Sequence, residues 1–350
     1  MIRFCQGDID PSIKARLYAG VLNTVPYYFA NTRKRVSDEL QIELTKTSSP
    51  YDKADIMNAL SYDPINYEIL YQKGIKSNDV ILTTATVSSL ANVLKAEKFK
   101  QVYRTSKAVE KVRGDILKYL RDIYTTDNVG AMAAASVVLR DPALGFKEEI
   151  ESLDFLESAT QNLKLPEHLE TKIENVATLA YLSNKDYPDV EVEYNHPIDW
   201  TIVSALTDSS KAYILTNKGS VEISFFVDKA PGSVANFVNL VEAEFYDDKV
   251  FHRVVPNFVI QTGCPRGDGY GSLDYTIRSE YSDIHYDDEG YIGMASAGPN
   301  TESTQWFITH SPTPHLDGRY TIFGKVISGM DIVHQIQQGD IIRDIRIVRK

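Results

Sequence analysis

Cysteine is scarce in this sequence, which contains two, Cys5 and Cys264. So few thiols, in unlike surroundings, exclude a disulfide scaffold and a cysteine zinc site, and they leave the cellular compartment open. Positive charge is also in deficit, because 37 Lys and Arg against 48 Asp and Glu give a net charge of -11. Neither half is basic, with 24 basic and 30 acidic residues up to Ser210 and 13 and 18 after it. Since nucleic-acid binding depends on Lys and Arg beside phosphates, we expect no nucleic-acid partner.

Long apolar runs are missing as well. The candidate run, Val129 to Leu139, has 11 residues, against the roughly 20 that cross a bilayer, so we expect a buried helix and no membrane span. The first ten residues lack the apolar core of a signal peptide, which favours a cytoplasmic location; if a leader is missing from this chain, the location is periplasmic. A hydrophobic fraction of 43% over 350 residues is typical of a folded protein with about two domains.

The first half reads as one helix after another. Between Asp79 and Lys98, apolar residues recur at spacings of three and four, which marks one face of an amphipathic helix. Pro50, Pro64 and Pro166 stand where proline is favoured, in the first turn of a helix. We therefore predict an all-α domain over residues 1–190.

A faint period suggests how these helices are arranged. The spacing from Pro26 to Pro64 is about one repeat length of a stacked helix pair, and the spacing from Pro64 to Pro142 is about two such lengths. The pattern resembles HEAT-like repeats, which form a solenoid whose curved surface holds other proteins. An irregular helical bundle is the alternative, because an expected mark near residue 103 is missing. Tyrosines such as Tyr27 and Tyr28 fit either a recognition surface or half-buried packing.

The second half has a different residue pattern. Residues 191–210, rich in Pro, Asp and Ser, are predicted to be a connector. A hairpin of Ala212–Thr216 and Ser220–Phe226 follows, and further β-rich runs alternate with Gly and Pro turns. Helices are predicted to begin at Pro231 and near Met330. Residues 211–350 are therefore predicted to form a closed antiparallel eight-stranded β-barrel with two capping helices.

Three runs of this half carry a family likeness: FHRVVPNFVIQTG from Phe251, GMASAGPNTESTQWFIT from Gly293 and HLDGRYTIFGKV from His315. The helix PGSVANFVNL from Pro231 fits the same pattern. In order and without large gaps, they closely resemble the cyclophilin peptidyl-prolyl isomerases over about residues 211–350. The resemblance implies a cyclophilin-type barrel and an isomerase whose partners are proline-containing polypeptides and unfolded protein clients.

Rotation about an X-Pro bond sets modest chemical demands. Breaking the amide resonance costs about 18–20 kcal/mol, but no proton moves and no bond forms, so we expect no cofactor. A fixed donor aimed at the prolyl nitrogen stabilises the twisted state. Arg253 suits this role because its guanidinium is always charged and carries five donors. By resemblance, Arg253 is the catalytic arginine, Gln261 orients it, and Phe258 belongs to the catalytic set.

The resemblance also implies the residues that bind substrate. The apolar proline pocket is formed by Val259, Phe307 and Leu316. A neighbouring groove receives the residue before proline, and its residues are Met294, Ala295, Ser296 and Gln305. His315 stands where drug-sensitive members often have Trp, and Tyr320 where His is frequent. We therefore expect weak cyclosporin binding and altered substrate contacts.

Two functions remain open. The first is an isomerase that assists protein folding, with the helical domain recruiting or positioning clients. The alternative is a chaperone or scaffold that grips proline-containing segments with little or no turnover. No metal site is expected, because the seven histidines show no metal-ligand spacing.

Overall fold

The computed structural model describes residues 9–207 and 209–349, which fall into two compact units. The helical unit comprises the described residues up to Leu163 together with Thr171–Asp189. The second unit comprises Lys164–Glu170 and the described residues from Val190 onward. The second unit therefore includes a short segment whose sequence neighbours on both sides belong to the helical unit.

The helices of the first half begin at residues that satisfy their free backbone amides. Asp10 accepts from the amides of Ser12 and Ile13, and Ser49 and Asp79 cap two later helices in the same way. Within the described residues, the helices are Pro11–Thr24 (α1), Ala30–Lys46 (α2), Pro50–Ser61 (α3), Tyr67–Leu70 (α4), Val80–Lys95 (α5), Phe99–Val102 (α6), Ser106–Ile123 (α7), Val129–Leu139 (α8), Asp154–Gln161 (α9) and Leu169–Ser183 (α10).

These helices do not follow the proline marks in a uniform way. Pro64 opens a short 3-10 turn, Pro64–Asn66, whereas Pro142 lies in a turn and the next helix, α9, begins at Asp154. Pro166 does not open a helix, since α10 begins at Leu169. The helices α1 to α10 range in length from 4 to 18 residues. The HEAT-like arrangement therefore stays a prediction. In the described part of the chain, no helix combines the length and apolar character needed to cross a membrane.

A buried ion pair joins three segments of the helical unit. Arg33 on α2 is only 3% exposed, and its Nε donates to Asp63 at 2.9 Å. Its Nη1 donates to the carbonyls of Leu22 and Val25, both at 2.7 Å, and its Nη2 to the carbonyl of Tyr62 at 3.1 Å. Removing one partner of a buried pair leaves the other charge without compensation. Arg33 therefore holds the start of α2 against the ends of α1 and α3.

Replacing this arginine should destabilise the helical unit. We expect Arg33→Met to lower the free energy of unfolding by about 3–5 kcal/mol, because Asp63 and three carbonyl groups lose their donor. The adjacent Lys34 provides a matched control, since its pair with Asp38 is exposed and contributes about 0.5 kcal/mol or less. Denaturant unfolding followed by the helical circular dichroism signal measures both. Equal losses in the two variants would contradict this interpretation.

Eight strands of the second unit form one antiparallel sheet in the order β3-β4-β6-β5-β7-β2-β1-β8. The strands are Lys211–Thr216 (β1), Ser220–Phe225 (β2), Arg253–Val255 (β3), Val259–Thr262 (β4), Tyr291–Met294 (β5), Trp306–Thr309 (β6), Ile322–Ser328 (β7) and Ile342–Val348 (β8). The sheet is an open half-barrel, which corrects the predicted closed barrel. Strand β3 has three residues, and among the described strands it pairs with β4 alone. The segment before it is joined to residues 339–342 by the bridge between Val250 and Ile341 and by a few backbone hydrogen bonds, but not by a strand ladder. Closure would need a continuous ladder there.

The concave side of this sheet is filled by one helix. Phe237, on the helix Pro231–Glu242 (α12), lies with its ring centroid 5.3–5.9 Å from those of Phe225, Tyr246, Trp306 and Phe323. Such edge-to-face, tilted and stacked ring pairs add to the energy of simple burial. The remaining helices are Trp200–Ser204 (α11) and Met330–Val333 (α13).

The predicted connector is only partly a connector. Ile202 on α11 and Leu206 are buried in the same core as the sheet. Residues 190–194, at the start of this stretch, have no regular secondary structure. Burial of apolar side chains thus makes the end of this stretch part of the second unit.

Candidate active site

Strand register places the predicted functional residues in one row. Arg253 on β3 lies opposite Gln261 on β4, Gln261 opposite Phe307 on β6, and Phe307 opposite Gly293 on β5. Residues directly opposite each other point to the same face of a sheet. The arginine, the glutamine and the phenylalanine are therefore neighbours on the outer face, although 54 positions separate the first from the last.

Gly293 creates space beneath this row. A Cβ atom at that position would lie 2.2 Å from the Tyr286 hydroxyl and 2.4 Å from Cζ of Phe307. The absence of a side chain lets these two rings stack with their centroids 5.9 Å apart. Side chains alternate between faces, so the next residue, Met294, points into the main core and is fully buried. Its side chain therefore does not line the groove in which the sequence placed it.

An open cavity of about 240 Å³ lies over these residues. Six of its nine lining residues are aliphatic or aromatic, and the other three, Arg253, Gln261 and Ser296, are polar. The lining residues are Arg253, Phe258, Val259, Gln261, Ala295, Ser296, Phe307, Leu316 and Tyr320. A cavity of this composition suits a small apolar ring that has no donor of its own to satisfy.

Arg253 stands at the mouth of this cavity. Its guanidinium carbon lies 5.7 Å from the centroid of the Phe258 ring, and its Nη1 donates to Oε1 of Gln261 at 3.4 Å. Attraction to an aromatic face and a hydrogen bond both restrict where the charge can lie. On the rim, the His315 ring stacks on Phe258 with centroids 5.4 Å apart. His315 therefore supports the cavity wall and does not itself line the cavity.

A chain of amide hydrogen bonds extends below the arginine. Nε2 of Gln261 donates to Oε1 of Gln305 at 3.0 Å. Nε2 of Gln305 donates in turn to the carbonyls of Gly269 and Gly271, at 3.2 and 3.3 Å. Gln305 is buried, so it orients Gln261 from behind and does not line the cavity. This arrangement leaves Gln261 little freedom to turn away from Arg253.

The sequence analysis did not predict two contributors to the site. Tyr286 supports the cavity from behind: its ring stacks on Phe307, which lines the cavity, and its hydroxyl donates to the carbonyl of Tyr320 at 3.4 Å. It lies in a stretch without helical or strand periodicity, so no local pattern indicated its role. The second contributor is the loop that carries Gly269 and Gly271. Its backbone carbonyl groups accept the hydrogen bonds from Gln305, so no side-chain pattern indicated it.

Comparison with known proteins shows the family. The family described as cyclophilin type peptidyl-prolyl cis-trans isomerase/CLD matches residues 211–350. Peptidyl-prolyl cis-trans isomerase B of Bacillus subtilis is 42% identical over 136 residues, which cover 39% of this chain and 95% of that protein. The chain belongs to the cyclophilins. A peptidyl-prolyl cis-trans isomerase of Synechococcus elongatus is 43% identical over 141 residues, covering 40% of this chain and 97% of the relative.

A solved structure covers the same share of the chain. The cyclophilin-type isomerase of Cryptosporidium parvum is 33% identical and matches with a TM-score of 0.38, covering 40% of this chain and 98% of that one. The cyclophilin match begins at residue 211, so the helical unit lies outside it. The second unit is called the cyclophilin unit below.

His252, next to the arginine, is not suited to proton transfer. Burial lowers its pKa to about 4, and the charge of Arg253 contributes to the shift. The imidazole is therefore neutral at physiological pH. Rotation about an amide bond requires no base, so a neutral histidine here is consistent with cyclophilin chemistry.

The same shift predicts how acid affects stability. The folded pKa of about 4 lies below the ordinary value of 6.5, so at pH values between them the unfolded chain binds a proton that the folded cyclophilin unit does not. His252 therefore lowers the free energy of unfolding as pH falls from 6.5 towards 4. We expect His252→Gln to remove up to about 3 kcal/mol of this loss. Urea unfolding across that pH range tests the prediction, and parallel curves for variant and wild type would contradict it.

Proposed function

We propose that this chain catalyses cis-trans rotation about X-Pro bonds in protein clients, and that its helical unit recruits or positions those clients. One observation carries the catalytic part: Arg253 lies at the mouth of an apolar cavity lined by Phe258 and Phe307. Membership of the cyclophilin family supports the same reaction.

The cavity can hold the proline ring while the peptide bond turns. The ring carries no N–H group, so apolar walls leave no donor of the ring unsatisfied. As the bond twists, the prolyl nitrogen leaves amide resonance and becomes a hydrogen-bond acceptor, and Arg253 donates to it. Because Gln261 and Phe258 already restrict the guanidinium, little reorganisation is needed in the twisted state. Binding is thus stronger in the transition state than in either planar form.

Removal of the guanidinium should separate catalysis from binding. We expect Arg253→Ala to lose about 2–4 kcal/mol of transition-state stabilisation in a peptide isomerisation assay, because one preorganised donor is absent. Arg253→Lys keeps the charge without the planar fork, so its isomerisation rate should lie between those of wild type and Arg253→Ala. Arg346→Ala removes an exposed arginine from β8, on the far edge of the sheet, and serves as the control.

The result also decides between the two functions. If wild type and Arg253→Ala relax cis peptides at the same rate, the catalytic proposal fails. Peptide binding without acceleration would then favour the alternative, a proline-binding chaperone or scaffold.

A groove of about 510 Å³ in the helical unit supports the recruitment role. Tyr27 lines this groove. Its ring contacts Tyr28, which in turn contacts Phe29 beside the groove, with centroid distances of 5.7 and 5.0 Å. Tyr28 is 69% exposed and Phe29 is 52% exposed. Ile65 also lines the groove and is exposed. Neighbouring exposed rings of this kind are typical of recognition surfaces.

Charge indicates what the groove accepts. Among its lining residues, Arg33 pairs with Asp63 and Lys34 with Asp38. Arg104 lies 5.7 Å from the Tyr27 ring, and in the described chain no carboxylate is within ion-pair distance of it. The groove thus has one surplus positive charge, although the whole chain carries -11. We propose that it takes an extended client segment in which an aromatic or aliphatic side chain neighbours a carboxylate.

Changes to the exposed rings beside this groove should affect long clients and not short ones. We expect the double variant Tyr28→Ala with Phe29→Ala to reduce assistance to a full-length client whose refolding is limited by proline isomerisation. The rate on a short peptide should not change, since the peptide needs only the cyclophilin unit. Ile42→Ala removes a similarly exposed apolar side chain from α2 and is the matched control. Unchanged client refolding in the double variant would remove the recruitment proposal.

A further inference from the structure

Part of the cavity wall comes from a stretch with little regular structure of its own. Leu316 and Tyr320 line the cavity, and both lie in residues 313–320, called the wall segment below. The regular element of this segment is the 3-10 turn Pro314–Leu316, whose hydrogen bonds stay within the segment. Such bonds fix the turn but not its distance from the sheet. The position of the two cavity-lining side chains therefore depends on contacts between the wall segment and other residues.

Tyr286 makes three hydrogen bonds to the wall segment. Its amide donates to Oδ1 of Asp317 at 2.8 Å, and its carbonyl accepts from the amide of Thr313 at 2.8 Å. Its hydroxyl donates to the carbonyl of Tyr320 at 3.4 Å. Tyr286 is fully buried, and its ring stacks on Phe307, which lines the cavity from β6. Tyr286 thus joins the wall segment to the part of the cavity that the sheet provides.

Of these three bonds, one uses a side chain of the wall segment, the carboxylate of Asp317. A carboxylate binds a backbone amide more strongly than a neutral acceptor does, and a buried amide that loses its acceptor is costly. The other carboxylate oxygen lies 3.0 Å from Nδ1 of His285, whose side chain is 65% exposed. An exposed pair of this kind contributes little. The bond to the Tyr286 amide is therefore the contact of Asp317 that restrains the wall segment.

We propose that Asp317 is a positioning residue for substrate binding: through the amide of Tyr286 it holds Leu316 and Tyr320 at the distance from Phe307 that fits a proline ring. The proposal rests on the isomerase function proposed above. Asp317 does not line the cavity, so it acts through its neighbours. Apolar walls contact the ring in both planar forms and in the twisted state, so their displacement weakens all three alike. Loss of such uniform binding raises KM and leaves kcat nearly unchanged.

Three full-length variants test this role. We expect Asp317→Ala to raise KM for a proline-containing peptide about 3- to 10-fold, with kcat within about twofold of wild type. Asp317→Asn should restore most of the affinity, because its amide oxygen can still accept from Tyr286. His285→Ala is the matched control: it removes the exposed partner of Asp317 and leaves the bond to the amide, so its KM should equal that of wild type.

Hydrogen exchange gives a readout that is independent of turnover. The Tyr286 amide should exchange faster in Asp317→Ala, where it lacks its acceptor, and at the wild-type rate in His285→Ala. Equal exchange of this amide in the two variants would contradict the route through Tyr286. An Asp317→Asn variant that binds as weakly as Asp317→Ala would assign the effect to charge and would also overturn the proposal.

Tyr286→Phe covers the case in which Asp317→Ala does not fold. It removes the hydroxyl bond to Tyr320, so we expect a smaller rise in KM. Wild-type KM in every folded variant among Asp317→Ala and Tyr286→Phe would overturn the proposal. If the wild type itself does not accelerate isomerisation, the isomerase proposal fails, while peptide affinity from an NMR titration still decides whether Asp317 positions the cavity wall.

Discussion

Strand register is the constraint on which the cyclophilin unit depends. Side chains alternate between the faces of a strand, so a slip of one residue would turn Gln261 and Phe307 into the core. The same slip would expose Ile260 and Ile308, which are at most 1% exposed. Burying such a side chain is worth about 1.5–3 kcal/mol, and several residues of the sheet contribute in the same sense. The apolar core on one face thereby sets the geometry of the polar groups on the other.

The outer face has a small core of its own. Phe307, Tyr286 and Leu316 are buried there together, separated by the sheet from the larger core around Phe237. The cavity floor is therefore packed from below, and its shape does not depend on loops alone. Rigid walls and a restrained arginine suit a reaction in which the protein must favour one short-lived geometry and makes no covalent bond.

Local sequence patterns predicted most elements of the chain. The helix expected over Asp79–Lys98 is found at Val80–Lys95, with Asp79 as its cap, and the strand expected over Ala212–Thr216 is found at Lys211–Thr216. Both depend on periodicity and capping, which act over a few residues. The family runs placed Arg253, Phe258, Gln261 and Phe307 in one motif set, and all four line one cavity.

What the sequence did not predict depends on distant contacts. Closure of the barrel requires β3 and β8 to pair, and no local pattern reports whether strands so far apart in sequence meet. Met294 was assigned to the groove from its motif, but the alternation of β5 turns its side chain to the core. Pro166 looked like a helix start, yet its carbonyl accepts from Ser272, more than a hundred positions away. Tertiary contacts override local propensity at such places.

The contact between residues 164–170 and Ser272 has a consequence for how the protein is made. Residues 164–170 leave the ribosome about a hundred residues before Ser272, which at 5–20 residues per second is a delay of roughly 5–20 s. During this interval the carbonyl groups of Pro166 and Glu167 lack the Ser272 donors that they have in the folded protein. This contact therefore joins a segment made early to a loop made later.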